Sequence, residues 1–281
     1  ATPHGRFRTI AGGRTSPFGI GDFYAEPTLL DAQVLLATTL GKAAAQHPAI
    51  YCWDLGNEFS NLREPATPQD GARWSALLTD ALLTSSGIGV TGGMHGEDLE
   101  RDRHLRPSTM AAPWQIATMH GYSVYATFAR DRLDTNVVPF YADLMRSFTG
   151  KPLLFSEFGN PACAPNAASA FACLSESEMA EYGTAVLERL HARGAIGAMW
   201  WCWADYDPSL ADLPPFDQAP HELHFGIVRA DGSDKPIAHA LAAFAQRAFV
   251  VGDAPAPIAD ETAYYASLPE GLDALYRRYG S

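Results

Sequence analysis

HPAIYCWDLGNE, residues 47–58, is a short apolar run that ends on Gly56, Asn57 and Glu58. Its apolar part, 48–55, has the length of a strand and is bounded by turn residues, so it predicts a buried strand running into a loop that opens on a carboxylate. KPLLFSEFGNP, residues 151–161, has the same build: a strand over 151–156, then Glu157. Between and around these two stretches the pattern alternates. Apolar residues at helical spacing predict helices over 29–46 (Leu30, Val34, Ala37), 69–84 (Trp74, Leu77, Leu78, Ala81), 137–148, 176–193 and 234–247. Short apolar runs predict further strands over 88–91, 115–120 and 195–203. Strands alternating with helices imply βα units and a parallel sheet. In such folds the chemistry lies where strands end, and both glutamates sit there.

The chain has 281 residues, of which 47% are hydrophobic and 19% charged, a globular composition. The length suits one large domain. Residues 1–28, rich in Gly, Pro, Arg and Thr, read as a loop-rich segment; 29–249 hold the βα units; 250–281 read as an irregular tail with a short last helix. The net charge of −12 argues against nucleic acid or an anionic membrane as partner. No apolar run is long enough to span a bilayer. No charged segment followed by an apolar one opens the chain, so the compartment stays unassigned. Four cysteines are too few for a disulfide scaffold, although Cys163 and Cys173 share one loop-like stretch and could pair.

Two carboxylates at strand ends suit cleavage of a glycosidic bond: one donates a proton to the leaving oxygen, the other attacks the anomeric carbon or activates water. Each glutamate taken singly has the ordinary alternative of a solvated loop residue. Other chemistries lack their motifs. His221-Glu-Leu-His224 brings its second histidine one residue too early for a zinc protease, and GIGVTGG (87–93) precedes no helix. There is no phosphate-binding loop and no nucleophile elbow. In the 195–203 strand, Trp201 and Trp203 fall on one face by the period of two, and Trp200 and Cys202 on the other. Trp200 and Trp53 read as packing residues. Asp205, Asp207, His221 and Glu222 lie in a long loop and could bind sugar hydroxyls or brace the loop.

These stretches, taken in order, resemble glycoside hydrolase clan A, and family 5 in particular. HPAIYCWDLGNE is similar to that clan's fourth strand, MHGYSVYA (119–126) to the sixth, KPLLFSEFGNP to the seventh and GAMWWCWADYD (197–207) to the eighth. HELHFGIVRADGSDKP (221–236) resembles the eighth loop and helix start, and the likeness covers roughly 29–249. The resemblance implies a (β/α)8 barrel and a retaining β-glycosidase acting on a glucoside, mannoside or galactoside. It implies Glu58 as general acid/base, Glu157 as nucleophile, Asn57 on the sugar 2-hydroxyl and Tyr122 as a donor to Glu157. His120 would line the same wall, and Trp201 and Trp203 would stand against the sugar. His95, after the fifth strand, lines the site or is a surface loop histidine, and Glu222 binds the sugar or braces its loop. No cofactor and no metal is implied. Strands four to eight are placed, whereas the first three have no counterpart in the sequence. The barrel is therefore expected to be completed by another segment or by self-association, since open strand edges are usually covered. The competing function is a non-catalytic carbohydrate-binding or scaffold remnant of such an enzyme.

Overall fold

The structure, a computed structural model, describes residues 9–10, 14–15, 21–45, 47–163, 174–247 and 256–280. In chain order its elements are β1 (Thr9–Ile10), β2 (Arg14–Thr15), α1 (Pro27–Ala43), β3 (Trp53–Asn57), α2 (Pro68–Ser86), β4 (Val90–Gly93), α3 (Glu97–Glu100), α4 (Pro107–Met110), β5 (Ala117–His120), α5 (Val137–Thr149), β6 (Leu153–Phe158), α6 (Glu176–Ala192), β7 (Gly197–Trp200), α7 (Pro236–Ala245), α8 (Glu261–Ala266) and α9 (Glu270–Tyr279). The five expected strands are β3 to β7, and the five expected helices are α1, α2, α5, α6 and α7. The fold is α/β with parallel strands. The chain divides into two compact units, one of Ala1–His120, Leu144–Leu153 and Pro257–Ala274, the other of Gly121–Asp143, Leu154–Ala256 and Leu275–Ser281.

In the first unit β3 and β4 pair in parallel, Trp53 opposite Val90 and Asn57 opposite Gly93, with a bulge between Asp54 and Asn57. Gly93 is needed for that approach, because a Cβ there would lie 2.6 Å from the Gly56 carbonyl oxygen. β5 lies beside β4, with the Gln115 amide on the Val90 carbonyl at 3.1 Å and the His120 amide on the Met94 carbonyl at 2.9 Å. Helix α2 is specified at both ends. Thr67 accepts from the Asp70 amide, Pro68 opens the first turn, and Gly87 closes the last in the left-handed conformation. Trp74 and Leu78 of α2 are buried, and the Trp53 indole donates to Ser86 Oγ at 3.0 Å.

Within the segment 1–28, read as loop-rich, the described residues include the short antiparallel pair β1–β2, and α1 begins at Pro27. The strand expected over 48–55 runs from Trp53 to Asn57 and is half-buried, not buried. The tail, expected to be irregular with one short last helix, carries two helices, α8 and α9. Tyr264 and Tyr265 of α8 are buried, and their hydroxyls donate to the Leu99 and Asp98 carbonyls at 2.6 and 2.7 Å. Apolar bulk and a polar tip on each tyrosine let the segment fill a core and still satisfy its hydroxyls.

In the second unit β6 and β7 pair in parallel, Leu154 opposite Gly197 and Phe158 opposite Trp200. Helix α6 starts on a capping box of Ser175 and Glu178 and buries Met179, Tyr182 and Val186. Gly183 gives α6 room against Ile237 of α7 and the Trp200 ring. Trp200 is a packing residue: its ring meets Phe158 at 5.2 Å and its indole donates to the Phe225 carbonyl at 2.8 Å. The strand expected to reach residue 203 ends at Trp200. Beyond it the backbone bonds turn to the 225–228 segment, with Cys202 N on the Phe225 carbonyl at 3.2 Å and Val228 N on the Trp203 carbonyl at 3.0 Å. Trp201 and Trp203 therefore do not share a strand face.

Cys52 and Cys202 are free thiols, and Cys163 is disulfide-bonded; Cys173, its expected partner, lies outside the described residues. Among the described residues no helix is long and apolar enough to cross a membrane.

Candidate active site

Glu58 follows β3 directly, and its backbone is left-handed, with φ 45° and ψ 47°. That conformation costs a non-glycine residue about 1–2 kcal/mol. It is held by two bonds, from the Glu58 amide to the Gly93 carbonyl at 2.9 Å and from the Asn61 amide to the Glu58 carbonyl at 2.8 Å. Phe59, buried against Trp74 with ring centroids 5.0 Å apart, anchors the turn.

The turn presents the Glu58 side chain to His120, Asn61 and His95. His120 Nδ1 lies 3.2 Å from Oε1. Asn61 Nδ2 donates to Oε2 at 2.9 Å, and His95 Nε2 stands 3.7 Å from the same oxygen. Burial pushes the His95 imidazole below its ordinary value, with the Glu58 charge opposing. The His95 amide donates to Asp98 Oδ2 at 3.0 Å. Burial of that carboxyl pushes it up to about 7, against hydrogen bonds and the Arg103 charge. Asn57, expected on the sugar 2-hydroxyl, is the exposed last residue of β3.

Glu157 is half-buried near the end of β6. Its carboxylate accepts from the Tyr122 hydroxyl, and its carbonyl from the Gly121 amide at 3.0 Å. Tyr122 is itself buried and packs edge-on against Phe225 at 5.8 Å. Tyr125, one turn further along the loop, bonds His221 Nε2 at 2.8 Å and donates to Glu222 Oε1 at 2.5 Å. Its ring lies 5.4 Å from that of Tyr122, so Glu222 joins the Tyr122 side of this unit through Tyr125. Trp201 is half-buried and Trp203 is 75% exposed. Asp205 braces its loop by pairing with the buried Lys235 at 2.7 Å, and Asp207 caps a short turn through the Ser209 amide.

Each unit thus gathers its own set: Glu58 with His95 and His120 in the first, Glu157 with Tyr122 in the second. Sequence reasoning missed Asn61, Arg103 and Tyr125. Asn61 and Tyr125 each fall three residues after a residue that was singled out, the spacing of one tight turn, which is a usable signal. Arg103 carries no such signal.

No family model matches this chain, and no curated protein matches it. Solved structures do. GH5_18 from Streptomyces cattleya, in a complex with Manb1-4GlcNAc, superposes with a TM-score of 0.76 at 19% identity, over 94% of this chain and 67% of that one. The same enzyme with GlcNAc gives a TM-score of 0.74 at 18% identity, over 98% and 70%. Exo-beta-1,4-mannosidase Op5Man5 from Opitutaceae bacterium strain TAV5 gives 0.65 at 24% identity, over 84% of this chain and 44% of that one. This chain therefore spans about two thirds of the Streptomyces GH5_18 chains and less than half of the mannosidase. At these identities the likeness is one of fold: the chain is similar to part of the α/β fold of GH5_18 glycoside hydrolases, members of the clan that the strand-end motifs resemble.

Proposed function

We propose that this chain carries the acid/base and the nucleophile of a retaining β-glycosidase, and that its substrate is a β-mannoside. The observation that carries the reading is that β3 and β6 each lead to a half-buried glutamate held by dedicated partners: His120 and Asn61 for Glu58, the Tyr122 hydroxyl for Glu157. A glutamate kept only for solubility needs no such partners. The preference for a mannoside among the three sugars rests on the neighbours, one bound to Manb1-4GlcNAc and one named a mannosidase.

In the first step the Glu157 carboxylate attacks the anomeric carbon, the glycosidic C–O bond breaks, and Glu58 gives its proton to the departing oxygen. In the second, Glu58 takes a proton from water as that water attacks the anomeric carbon, and the bond to Glu157 breaks. Tyr122 aims Glu157 by donating its hydroxyl to the carboxylate. Asn57 would bind the 2-hydroxyl, His95 and His120 line the acid side, and Trp201, Trp203 and Glu222 hold the sugar ring.

The reading also includes a barrel completed by a further segment or by self-association. Leu35 and Leu36 of α1, 68% and 59% exposed, support this, as an apolar helix face of this kind marks a surface that is covered in the working protein. Light scattering would give an assembly larger than one chain; a compact monomer with full activity would overturn that part.

Hydrolysis of 4-nitrophenyl β-D-mannoside, -glucoside and -galactoside tests the function, with Glu157→Gln and Glu58→Ala as controls. Turnover highest on the mannoside and abolished by Glu157→Gln is expected, with azide restoring Glu58→Ala as a β-glycosyl azide. Turnover that survives Glu157→Gln would overturn the assignment. Sugar binding with no turnover would identify the carbohydrate-binding remnant instead.

A further inference from the structure

Behind the Glu58 turn lies a charged side chain that the reading above does not use. The Arg103 guanidinium is only 2% exposed. It ion-pairs with Glu97, and Glu64 and Asp98 stand at 3.5 and 3.8 Å. One of its nitrogens, Nη1, reaches back to the turn and donates to Ser60 Oγ at 3.0 Å and to Asn61 Oδ1 at 3.2 Å. Guanidinium has no acceptor, so only the amide oxygen of Asn61 can face it. The Asn61 amide nitrogen must then point the other way, and there it donates to Glu58 Oε2 at 2.9 Å. Asn61 also fixes the Glu58 backbone through its own amide.

We propose that Asn61, held in one orientation by the buried Arg103, is the positioning residue that aims the Glu58 carboxyl for proton donation. The proposal rests on Glu58 being the general acid/base. With the Asn61 amide donating to Oε2, the acidic proton falls to Oε1, which faces His120 Nδ1 at 3.2 Å. Arg103 acts at one remove: it forbids the flip of the amide that would set a carbonyl oxygen against a carboxylate.

Protonation of the leaving group separates this role from a structural one. A 2,4-dinitrophenolate departs without a proton, whereas 4-methylphenolate needs one. The experiment compares kcat/KM of the whole chain on 2,4-dinitrophenyl and 4-methylphenyl β-D-mannosides, for Asn61→Leu and for Asn61→Asp. Both variants should lose about tenfold or more on the 4-methylphenyl substrate and stay within about twofold on the dinitrophenyl one. Asn61→Asp, equal in size but without the donor, serves if Asn61→Leu unfolds. An equal loss on both substrates would mean that Asn61 only supports the fold, and no loss on either would mean that it does not act on Glu58; each result overturns the proposal. Glu58→Ala on the same pair tells this failure from failure of the function itself. If Glu58→Ala shows the leaving-group selectivity and Asn61 variants do not, the acid/base stands and the positioning role falls. If Glu58→Ala shows none, the acid/base assignment falls and the proposal falls with it.

Discussion

Replacing Asp98 by asparagine should flatten the pH dependence of stability. Asp98 is 1% exposed, and burial pushes its carboxyl from an ordinary 3.8 up to about 7. A carboxyl whose folded value lies above its unfolded value binds its proton more tightly in the folded chain. The stability this adds is fully present below the unfolded value and is lost as the pH rises through about 7. Put through the linkage relation, a rise of this size corresponds to a loss of roughly 2–3 kcal/mol between pH 5 and pH 8. The amide in Asp98→Asn has the same shape and no proton to release, so the variant should escape this loss. Urea unfolding of both proteins near pH 5 and pH 8 measures it, with Trp74 and Trp114, both buried in the same unit, as fluorescence probes. The two proteins should be similar in stability at the lower pH, and the variant should be ahead by about 2–3 kcal/mol at the higher one. Parallel pH profiles would refute the reasoning, since they would mean that Asp98 is ionised in the folded chain at both values, paired with Arg103.

Tyr122→Phe removes the hydroxyl that donates to Glu157 and keeps the ring packed on Phe225. A hydrogen bond to a charged group contributes about 1.5–3 kcal/mol, so kcat/KM on the aryl mannoside should fall roughly 10–100-fold while the thermal midpoint moves little. An unchanged kcat/KM would show that Glu157 does not depend on this donor. Gly93→Ala puts a methyl group 2.6 Å from the Gly56 carbonyl oxygen and 3.1 Å from the His120 ring. It should cost about 1–3 kcal/mol in urea unfolding, and a variant as stable as the parent would mean that the β3–β4 approach can relax.

What could be read from the sequence alone was the part governed by neighbours in the chain. Apolar period placed α2 and α6 to within a few residues, because this signal acts over one or two turns. The strand-end glutamates were legible for the same reason: Glu58 and Glu157 each close a short apolar run. Less local features were not. The 195–203 run kept its strand character on paper but ends at Trp200, because a segment more than twenty residues later takes over its backbone bonds. In the tail a short last helix was legible but α8 was not, and what gives α8 a place is the burial of Tyr264 and Tyr265 against Leu99 and Asp98 of α3. Arg103 lies 42 residues from Asn61 and Tyr125 lies 97 from Glu222, so their contacts exist only once the chain has folded. Tertiary structure also decided the electrostatics. Asp98 and His95 have unremarkable sequence neighbours, and it is the removal of water around them, a property of packing and not of composition, that moves their protons.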